Sequence, residues 1–415
     1  MTKTALTTPD EPDKAKHKKN KPKLRGGVMK RGMTWSYVIR VTDPATGVSK
    51  PKWVGGFATE AEAKAARDEA RVKARRGEYI DRNTITVGDY LDQWIESHAV
   101  EIRPRTLASY RTMIRLYIKP HIGGLRLQAV RPARITKLYR DLLTSGGENG
   151  NALGNSTVMR THAILRKAFT DAVRVDELIP SNPVERAKRP KATLNEPGMV
   201  WNPAQLHIFL AAVRRHRLFA FYHLAAYTGA RRGELLNLRW SDLNLDAQRI
   251  DITGSTGVVA GERIEGATKS GKSRSVSIDD DTITVLREHR KAQAAEMLLV
   301  GDKWRGATDG YVFATSWGDP IHPDSVGWLM TKTIRAYNRP EKGRRPAEPL
   351  PHARAHDLRH IHATTLLLAG VPVHVVAGRL GHVDPAITLR VYAHVIRSAE
   401  VAAADVFATV MREAA

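Results

Sequence analysis

Four side chains that could act together on a phosphodiester lie near the end of the chain. They are His356, Arg359, His382 and Tyr392. An arginine can hold phosphate oxygens in a bidentate fork, a histidine can transfer a proton near neutral pH, and a tyrosine can act as a covalent nucleophile. The residue types therefore indicate chemistry at a phosphodiester, although short amphipathic helices with scattered histidines are also common in ordinary α-helical domains.

Turn residues divide this segment into three predicted helices that would hold the four side chains. The first histidine and the arginine are one helical turn apart, so both can point the same way. Gly370 ends this first helix, and Pro372 starts the next one. An N-cap and first-turn proline, Asp384-Pro385, then open the helix that carries the tyrosine.

The composition indicates a polyanionic partner. The chain has 415 residues, of which 66 are Lys or Arg and 43 are Asp or Glu, and its formal net charge is +23. Such an excess favours nucleic acid, and no apolar run is long enough to span a membrane. The absence of cysteine excludes disulfides, thiolate metal sites and cysteine nucleophiles. The polar N-terminus lacks the apolar segment of a signal peptide, so we expect a cytoplasmic protein.

The N-terminal region predicts a basic arm followed by a small α+β module. Residues 1–25 are polar and lysine-rich and predict a disordered arm that either solubilises the protein or contacts DNA. Residues 26–78 predict a three-stranded sheet, with strands at 34–41 and 49–57, and a helix over 59–76 that Thr59 and Glu62 would cap. A sheet can read the major groove. The candidate DNA contacts on this module are Lys30, Arg31, Arg40 and Lys52.

Residues 84–180 predict an all-α domain of four or five helices, because apolar residues recur there at helical spacing. Several of these helices have basic faces, which would suit DNA, although a single charged helix face is more often simply solvated. The candidate DNA contacts are Arg103, Arg105, Arg111 and Arg160. Residues 181–199 are rich in proline and lysine and predict an interdomain linker.

Residues 200–398 predict a third, mainly helical domain with a small β-sheet. Its predicted elements are a buried helix at 219–228, helices at 230–239 and 282–297, and strands at 249–253, 274–278 and 312–314. Residues 399–415 predict a last helix with an apolar stripe. This helix either packs on its own domain or, as the family resemblance given below implies, docks on a neighbouring protomer; its position just after Tyr392 favours the second interpretation.

Five short motifs in the third domain, taken in order, resemble those of the tyrosine recombinases, the phage integrase family. The motifs are Tyr227-Thr228-Gly229-Ala230-Arg231-Arg232-Gly233-Glu234-Leu235, Thr268-Lys269-Ser270, His356-Asp357-Leu358-Arg359-His360, Leu380-Gly381-His382 and Tyr392-Ala393-His394. Any one of them is a modest signal. All of them in the family's order, at plausible spacing and with no catalytic position missing, make a chance match improbable.

The resemblance is strong over 200–398, moderate over 84–180 and weaker over 27–77, where it is to the arm-site binding domain of integrases. It implies a multidomain fold: a small α+β sheet module, an all-α core-binding domain, and a mainly α catalytic domain with a small antiparallel β-sheet. The family's chemistry implies no cofactor and no metal, because the covalent intermediate conserves the energy of the cleaved bond.

The resemblance also implies how the phosphate would be attacked and held. Tyr392 matches the nucleophile that forms a 3′-phosphotyrosine. Arg231 and Arg359 match the pair that binds the non-bridging oxygens and compensates the charge of the transition state. Glu234, one turn after Arg231, would orient that arginine, or else form an ordinary surface helix pair.

Three further positions match groups that move protons or bind the phosphate. His356 corresponds to the proposed general base, and Lys269 to the general acid that protonates the 5′-oxygen leaving group. His382 corresponds to a position that hydrogen-bonds the phosphate and packs the site.

Two other motifs suggest different sites. Residues 266–273 fit the phosphate-loop pattern G-x-x-x-x-G-K-S, but the residues that follow alternate like a strand and not a helix. A hairpin tip that presents Lys269 to the minor groove fits better. His356 and His360 have the i, i+4 spacing of a metal-binding pair, but Arg359 between them opposes a cation, so we expect no metal.

The sequence therefore predicts a site-specific recombinase that integrates and excises a mobile element, such as a temperate phage, through a Holliday junction. We expect a homotetramer on core and arm attachment sites, in the cytoplasm of a bacterial host and associated with the nucleoid. An excisionase and a DNA-bending host factor are candidate partners, and no membrane is expected. The alternatives are a non-catalytic sequence-specific DNA-binding protein and a type IB topoisomerase-like enzyme.

Overall fold

The computed structural model describes most of the chain from Gly27 to Tyr392 and two short stretches beyond. The described residues are 27–42, 47–76, 79–147, 149–191, 201–269, 271–306, 309–340, 346, 348–382, 384–386, 388–389, 391–392, 407–409 and 411–413. The predicted arm at 1–25, part of the predicted linker and most of the predicted C-terminal helix lie outside these residues. The chain divides into two units, 1–97 with 113–192 and 98–112 with 193–415.

The first unit begins with a three-stranded antiparallel sheet and one helix, as predicted. The elements are β1 (Val28–Arg31), β2 (Thr34–Thr42), β3 (Ser49–Phe57) and α1 (Glu60–Arg75). The strands pair in sequence order. Thr59 caps α1 by accepting the backbone N–H of Glu62, which confirms the predicted helix start. The core between sheet and helix contains Val28, Tyr37, Ile39, Ala63 and Ala70.

The helices that follow confirm the predicted helical region. They are α2 (Val87–His98), α3 (Pro104–Met113), α4 (Lys119–Ile122), α5 (Pro132–Ser145) and α6 (Asn155–Arg174), and nearly all of α3 falls in the second unit. The apolar face of α2 is buried, including Tyr90 and Trp94. The polar groups of both side chains are hydrogen-bonded, because the Tyr90 hydroxyl lies 2.7 Å from the Asp176 carboxylate and Trp94 Nε1 donates to Asp171 over 2.8 Å.

The second unit packs its helices around the apolar segment predicted at 219–228. Its helices are α7 (Pro203–Val213), α8 (Phe219–Thr228), α9 (Arg232–Leu235), α10 (Asp280–Val300), α11 (Pro323–Tyr337), α12 (Asp357–Leu368) and α13 (Val373–Leu380). Almost every residue of α8 is buried, and the Phe221 ring packs edge-on against Phe313. Although α8 is so apolar, neither it nor any other described helix is long and apolar enough to cross a membrane.

The end of α8 sets the direction of the chain into the first recombinase-like motif. Gly229 has a φ of +63°, a backbone conformation that residues with a Cβ atom rarely adopt. A Cβ atom at this position would also lie only 2.7 Å from Cδ2 of His362. Glycine is therefore required both for the turn and for the close approach of α12. Arg231 follows two residues later.

The strands of the second unit form two separate antiparallel sheets. The strands are β4 (Leu243–Asn244), β5 (Arg249–Ile252), β6 (Gly254–Val259), β7 (Glu262–Ala267) and β8 (Arg274–Ser277). One sheet has the order β4-β5-β8 and the other pairs β6 with β7. The predicted strands at 249–253 and 274–278 are confirmed as β5 and β8, whereas the β6–β7 hairpin between them was not predicted.

Two predicted elements are wrong. Residues 312–314 form no strand in the described chain, because the backbone there makes only isolated bridges that join Arg239 to Tyr311 and Ala314 to Pro320. The helix expected at 230–239 is limited to α9. Beyond α9 the Asn237 and Leu238 amides donate to carbonyls only three residues earlier, and Arg239 is extended and bridges to Tyr311, so the α-helix does not continue.

The C-terminal helices follow the predicted turn residues. Gly370 has a φ of +82° after α12, and Pro372 occupies the N-cap of α13. The Asp384 side chain accepts from the Ala386 amide over 2.8 Å, as expected of the predicted cap. Tyr392 lies in helical conformation at the end of this segment.

Candidate active site

Arg231 and Glu234 are joined at the start of α9. The Glu234 carboxylate accepts from the backbone N–H of Arg231 over 2.9 Å and from Arg231 Nη1 over 2.7 Å. Arg231 Nη2 donates to the Gly381 carbonyl over 3.3 Å. Glu234 is 1% exposed, so it is not a surface helix partner; instead it fixes the guanidinium of Arg231.

Arg274 shares the same carboxylate and was not identified from the sequence. Its Nη1 and Nη2 donate to the two Glu234 oxygens over 3.1 and 2.7 Å, and its Nε donates to the Arg379 carbonyl over 3.0 Å. Burial alone would raise the pKa of Glu234, but hydrogen bonds and charge from Arg274 and Arg231 outweigh it and lower that pKa. Glu234 is therefore an ionised carboxylate between two guanidinium groups. The only sequence signal for Arg274 was its place at the start of a strand.

Arg359 is held by the ends of two helices. It is 3% exposed, and it donates to the Gly229 carbonyl after α8 and to the Leu380 carbonyl at the end of α13, both over 2.8 Å. Burial, together with the charge of Arg231, lowers the pKa of Arg359 to about 9. The guanidinium is still protonated at neutral pH, and partial negative charge at helix C-termini favours it there.

His382 lies at the same helix end, directly after Gly381, which has a φ of +68°. Its Nδ1 is 2.7 Å from the hydroxyl oxygen of Thr388. Burial and the charges of Arg359 and Arg231 lower the pKa of His382 to about 4. The imidazole is therefore neutral at neutral pH and can use its second nitrogen to bind a further group.

Tyr392 contacts a histidine that the sequence did not assign to catalysis. Its hydroxyl oxygen lies 2.9 Å from Nδ1 of His360, and the whole residue is 1% exposed. Burial raises the pKa of Tyr392 to about 12, although the charge of Arg359 opposes this rise.

The His356 ring packs edge-on against His360 at 5.2 Å between centroids. His356 as a whole residue is exposed, yet loss of water around its ring and the charges of His360 and Arg359 lower its pKa to about 4.

These residues form one group, which we call the site cluster. Its members are Arg231, Glu234, Arg274, His356, Arg359, His360, His382 and Tyr392. The cluster thus brings together every predicted catalytic residue except Lys269, and it adds Arg274 and His360. Its charge is positive at neutral pH, because three arginines face a single carboxylate. Such a site suits an anionic group.

Lys269 is exposed on the connection between β7 and β8, and the predicted hairpin tip is wrong. These two strands belong to different sheets, because β7 pairs with β6 and β8 pairs with β5. In the described part of the chain no hydrogen bond joins Lys269 to the site cluster. The connection is anchored beside it, since the Thr268 carbonyl accepts from Arg103 Nη1 over 3.2 Å. Residues 266–273 lead into strand β8 and not a helix, which excludes a phosphate loop of the ATP-binding kind.

The rings of the candidate metal pair, His356 and His360, pack against each other. The His360 ring is directed to Tyr392 and His356, and Arg359 between them is buried. Within the described residues, no three or more His, Cys, Asp or Glu side chains are arranged to hold a metal ion.

All the predicted DNA contacts are exposed, but they differ in their surroundings. They are Lys30, Arg31, Arg40, Lys52, Arg103, Arg105, Arg111 and Arg160. Tyr37 and Ile39 point toward α1, so alternation along β2 places Arg40 on the opposite, open face of the sheet. Lys52 pairs with Ile39 across the strands and forms an ion pair with Asp81, so it is less available to DNA.

The Glu234 network yields a pH-dependent stability prediction. Glu234→Gln removes the charge of a buried carboxylate at nearly constant size and leaves the partly buried guanidinium groups of Arg231 and Arg274 without their counter-ion. Breaking a buried ion pair typically costs about 3–5 kcal/mol. Because the folded-state pKa of Glu234 is lowered, its contribution should be complete above its ordinary value of 4.5 and be lost as the pH falls through the lowered value. Urea unfolding at several pH values measures the difference from wild type.

A matched control is Glu288→Gln, which changes an exposed carboxylate on α10. We expect this variant to unfold like the wild type at every pH. A Glu234→Gln deficit that stays constant down to acidic pH would contradict the proposed ionic role of Glu234.

Comparison with known proteins agrees with this geometry. Residues 202–398 match the Phage integrase family, residues 86–143 match the family's N-terminal SAM-like domain, and residues 28–74 match an Arm DNA-binding domain. The "Tyrosine recombinase XerC-like" protein of Caldanaerobacter subterraneus subsp. tengcongensis is 28% identical over 362 residues, which cover 81% of this chain and 86% of that protein.

Two solved structures share the fold. One is the Tn1549 transposon integrase in complex with a circular intermediate DNA, with a TM-score of 0.62, 18% identity, and coverage of 74% of this chain and 95% of that one. The other is a lambda integrase tetramer bound to a Holliday junction, with a TM-score of 0.53, 17% identity, and coverage of 88% and 94%. The matched family domains and the similar relatives, together with the site cluster, show that this chain belongs to the phage integrase family of tyrosine recombinases.

Proposed function

We propose that this chain is a site-specific DNA recombinase that cuts and rejoins DNA through a 3′-phosphotyrosine intermediate. One observation carries the proposal: the Tyr392 hydroxyl is buried in a cluster whose arginines exceed its carboxylates by two. A phenol in such surroundings can attack an anionic phosphodiester, because the guanidinium groups compensate the negative charge that builds up in the transition state.

Arg231 and Arg359 would bind the non-bridging oxygens of the scissile phosphate. Each guanidinium has five N–H donors, and the described contacts with Glu234 and helix-end carbonyls use only some of them. The remaining donors are held in place by those same contacts. His382, neutral and fixed by Thr388, would add a hydrogen bond to the phosphate.

The chemistry then requires two proton transfers. Tyr392 has a pKa of about 12 and is protonated at neutral pH, so its proton must leave as the phenol oxygen attacks phosphorus. His356, at the start of α12, matches the family's proposed general base and would help to remove this proton. Lys269 would protonate the departing 5′-oxygen after its exposed connection moves against the bound DNA. The phosphotyrosine retains the energy of the broken bond, so rejoining needs no ATP.

The partner would be double-stranded DNA, at core and arm attachment sites. A homotetramer on a Holliday junction would exchange strands; the lambda integrase of similar fold forms a tetramer bound to a Holliday junction, which supports this proposal. The Tn1549 integrase belongs to a transposon, which supports integration and excision of a mobile element here. We further propose an excisionase and a DNA-bending host factor as partners, and the cytoplasm of a bacterial host as the location. The comparisons favour neither a binding-only protein nor a type IB topoisomerase.

The proposal is tested with a nicked, labelled half-site from the junction of the element that encodes the chain. Wild type should accumulate covalent protein–DNA on a denaturing gel, and Tyr392→Phe should give none, because it lacks the nucleophilic oxygen. Both proteins should still shift the DNA in a native gel. If both shift it and neither gives a covalent band, even with a bending protein present, the chain binds DNA without cleaving it.

The role of Lys269 is tested with a substrate whose 5′-bridging oxygen is replaced by sulfur. A thiolate leaves without protonation, so Lys269→Ala should cleave this substrate nearly as fast as wild type. On the ordinary substrate we expect a loss of about 10²-fold or more in the rate of covalent-complex formation. Lys272→Ala, which changes a neighbouring exposed lysine, is the control and should cleave both substrates normally. An equal loss on both substrates would show that Lys269 is not the acid.

The arm module should contribute phosphate contacts through its open sheet face. For Arg40→Ala we expect the slope of log K against log salt concentration to fall in magnitude by about 0.9, the value for one lost phosphate contact. Lys52→Ala is the matched control, since its ammonium is already paired with Asp81, and its slope should change less. Fluorescence anisotropy of an arm-site duplex measures both, and equal effects of the two variants would contradict the assignment of the open face.

A further inference from the structure

We propose that His360 is a further catalytic residue, which accepts the proton of Tyr392 as the phenol attacks the phosphate. This inference rests on the proposed function. The recombinase resemblance pointed to His356 as the base, and His360 entered the sequence analysis only as a discarded metal ligand.

The geometry places His360 directly against the reacting oxygen. Its Nδ1 is 2.9 Å from the Tyr392 hydroxyl oxygen, a normal hydrogen-bond distance for proton transfer. The two rings are 5.8 Å apart between centroids and inclined by 57°, so the contact is made by the nitrogen and not by ring stacking. His356, in contrast, packs nearly perpendicular to the His360 ring at 5.2 Å between centroids.

The surroundings keep His360 in the form that can accept a proton. Burial lowers its pKa below the ordinary value, the charges of Arg359 and Arg354 add to this effect, and Asp357 opposes it. The imidazole is therefore neutral at neutral pH. Since Tyr392 keeps its own proton there, the hydroxyl can donate to an unprotonated Nδ1, with the imidazole hydrogen on Nε2.

The step balances without any added reactant. The Tyr392 oxygen forms a bond to phosphorus while its proton moves to Nδ1 of His360. The bond from phosphorus to the 5′-oxygen breaks, and that oxygen takes a proton from Lys269. The negative charge of Asp357 favours the imidazolium that forms. Rejoining runs through the same proton positions in reverse.

The test measures single-turnover formation of covalent complex on the nicked half-site. His360→Asn offers an amide oxygen near the position of Nδ1, which retains a hydrogen-bond acceptor but cannot take a proton at neutral pH. We expect its rate to fall by about 10²-fold or more. Replacing Tyr392 by 3,5-difluorotyrosine, a more acidic phenol, should restore much of the rate in His360→Asn and change the wild-type rate little.

His374→Asn is the matched control, because His374 is exposed on the neighbouring helix α13. It should react at the wild-type rate. A native-gel shift reports whether each variant folds and binds DNA. If His360→Asn does not shift the DNA, His360→Gln is used in its place.

The outcomes separate this inference from the function on which it rests. A wild-type rate for a folded His360 variant, or an equal difluorotyrosine effect with and without His360, overturns the role of His360 while covalent cleavage stands. Rescue by difluorotyrosine in His356→Asn but not in His360→Asn assigns the proton to His356 instead. If wild type itself forms no covalent complex, it is the proposed function that fails.

Discussion

The buried carboxylate of Glu234 accepts hydrogen bonds from Arg231 and Arg274, and the geometry of the site depends on it. Charges inside a protein are stable only when they are paired and hydrogen-bonded. One carboxylate between two guanidinium groups, with Arg359 nearby, leaves the cluster positive. Burial lowers the pKa of His382 and His356, and that residual positive charge lowers it further. It is also the charge that a phosphate would neutralise.

Helix ends complete the support of these arginines. The carbonyls of Gly229, Leu380 and Gly381 each accept from a guanidinium, so the C-terminal ends of α8 and α13 point their negative ends at the site. Gly229 and Gly381 both have positive φ, which turns the chain away just after each helix. The two turns that end these helices therefore leave backbone carbonyls that accept hydrogen bonds from Arg231 and Arg359. The local backbone conformation thus positions both guanidinium groups in the site.

The remaining basic residues act over a longer range. Lys and Arg exceed Asp and Glu in the arm module, in the helical region and in the catalytic region, and the predicted contacts are exposed. In the proposed function such a distribution would attract a polyanion and position it, whereas the cluster would select one phosphate for reaction. The open sheet face that bears Arg40 lies away from α1, so DNA binding on that face would not disturb the packing that holds the module together.

The sequence by itself determined the family, the order of the domains, most helices and the identity of Arg231, Glu234, Arg359, His382 and Tyr392 as candidates. It could do so because motifs, caps and apolar periodicity are local in the chain. It missed the β6–β7 hairpin, placed Lys269 on a hairpin tip, and extended the helix after Gly229 too far. Only the tertiary structure joined Arg274 to Glu234 and His360 to Tyr392. Those contacts bridge 40 and 32 positions of sequence, and residue spacing along a chain does not specify which distant side chains meet after packing.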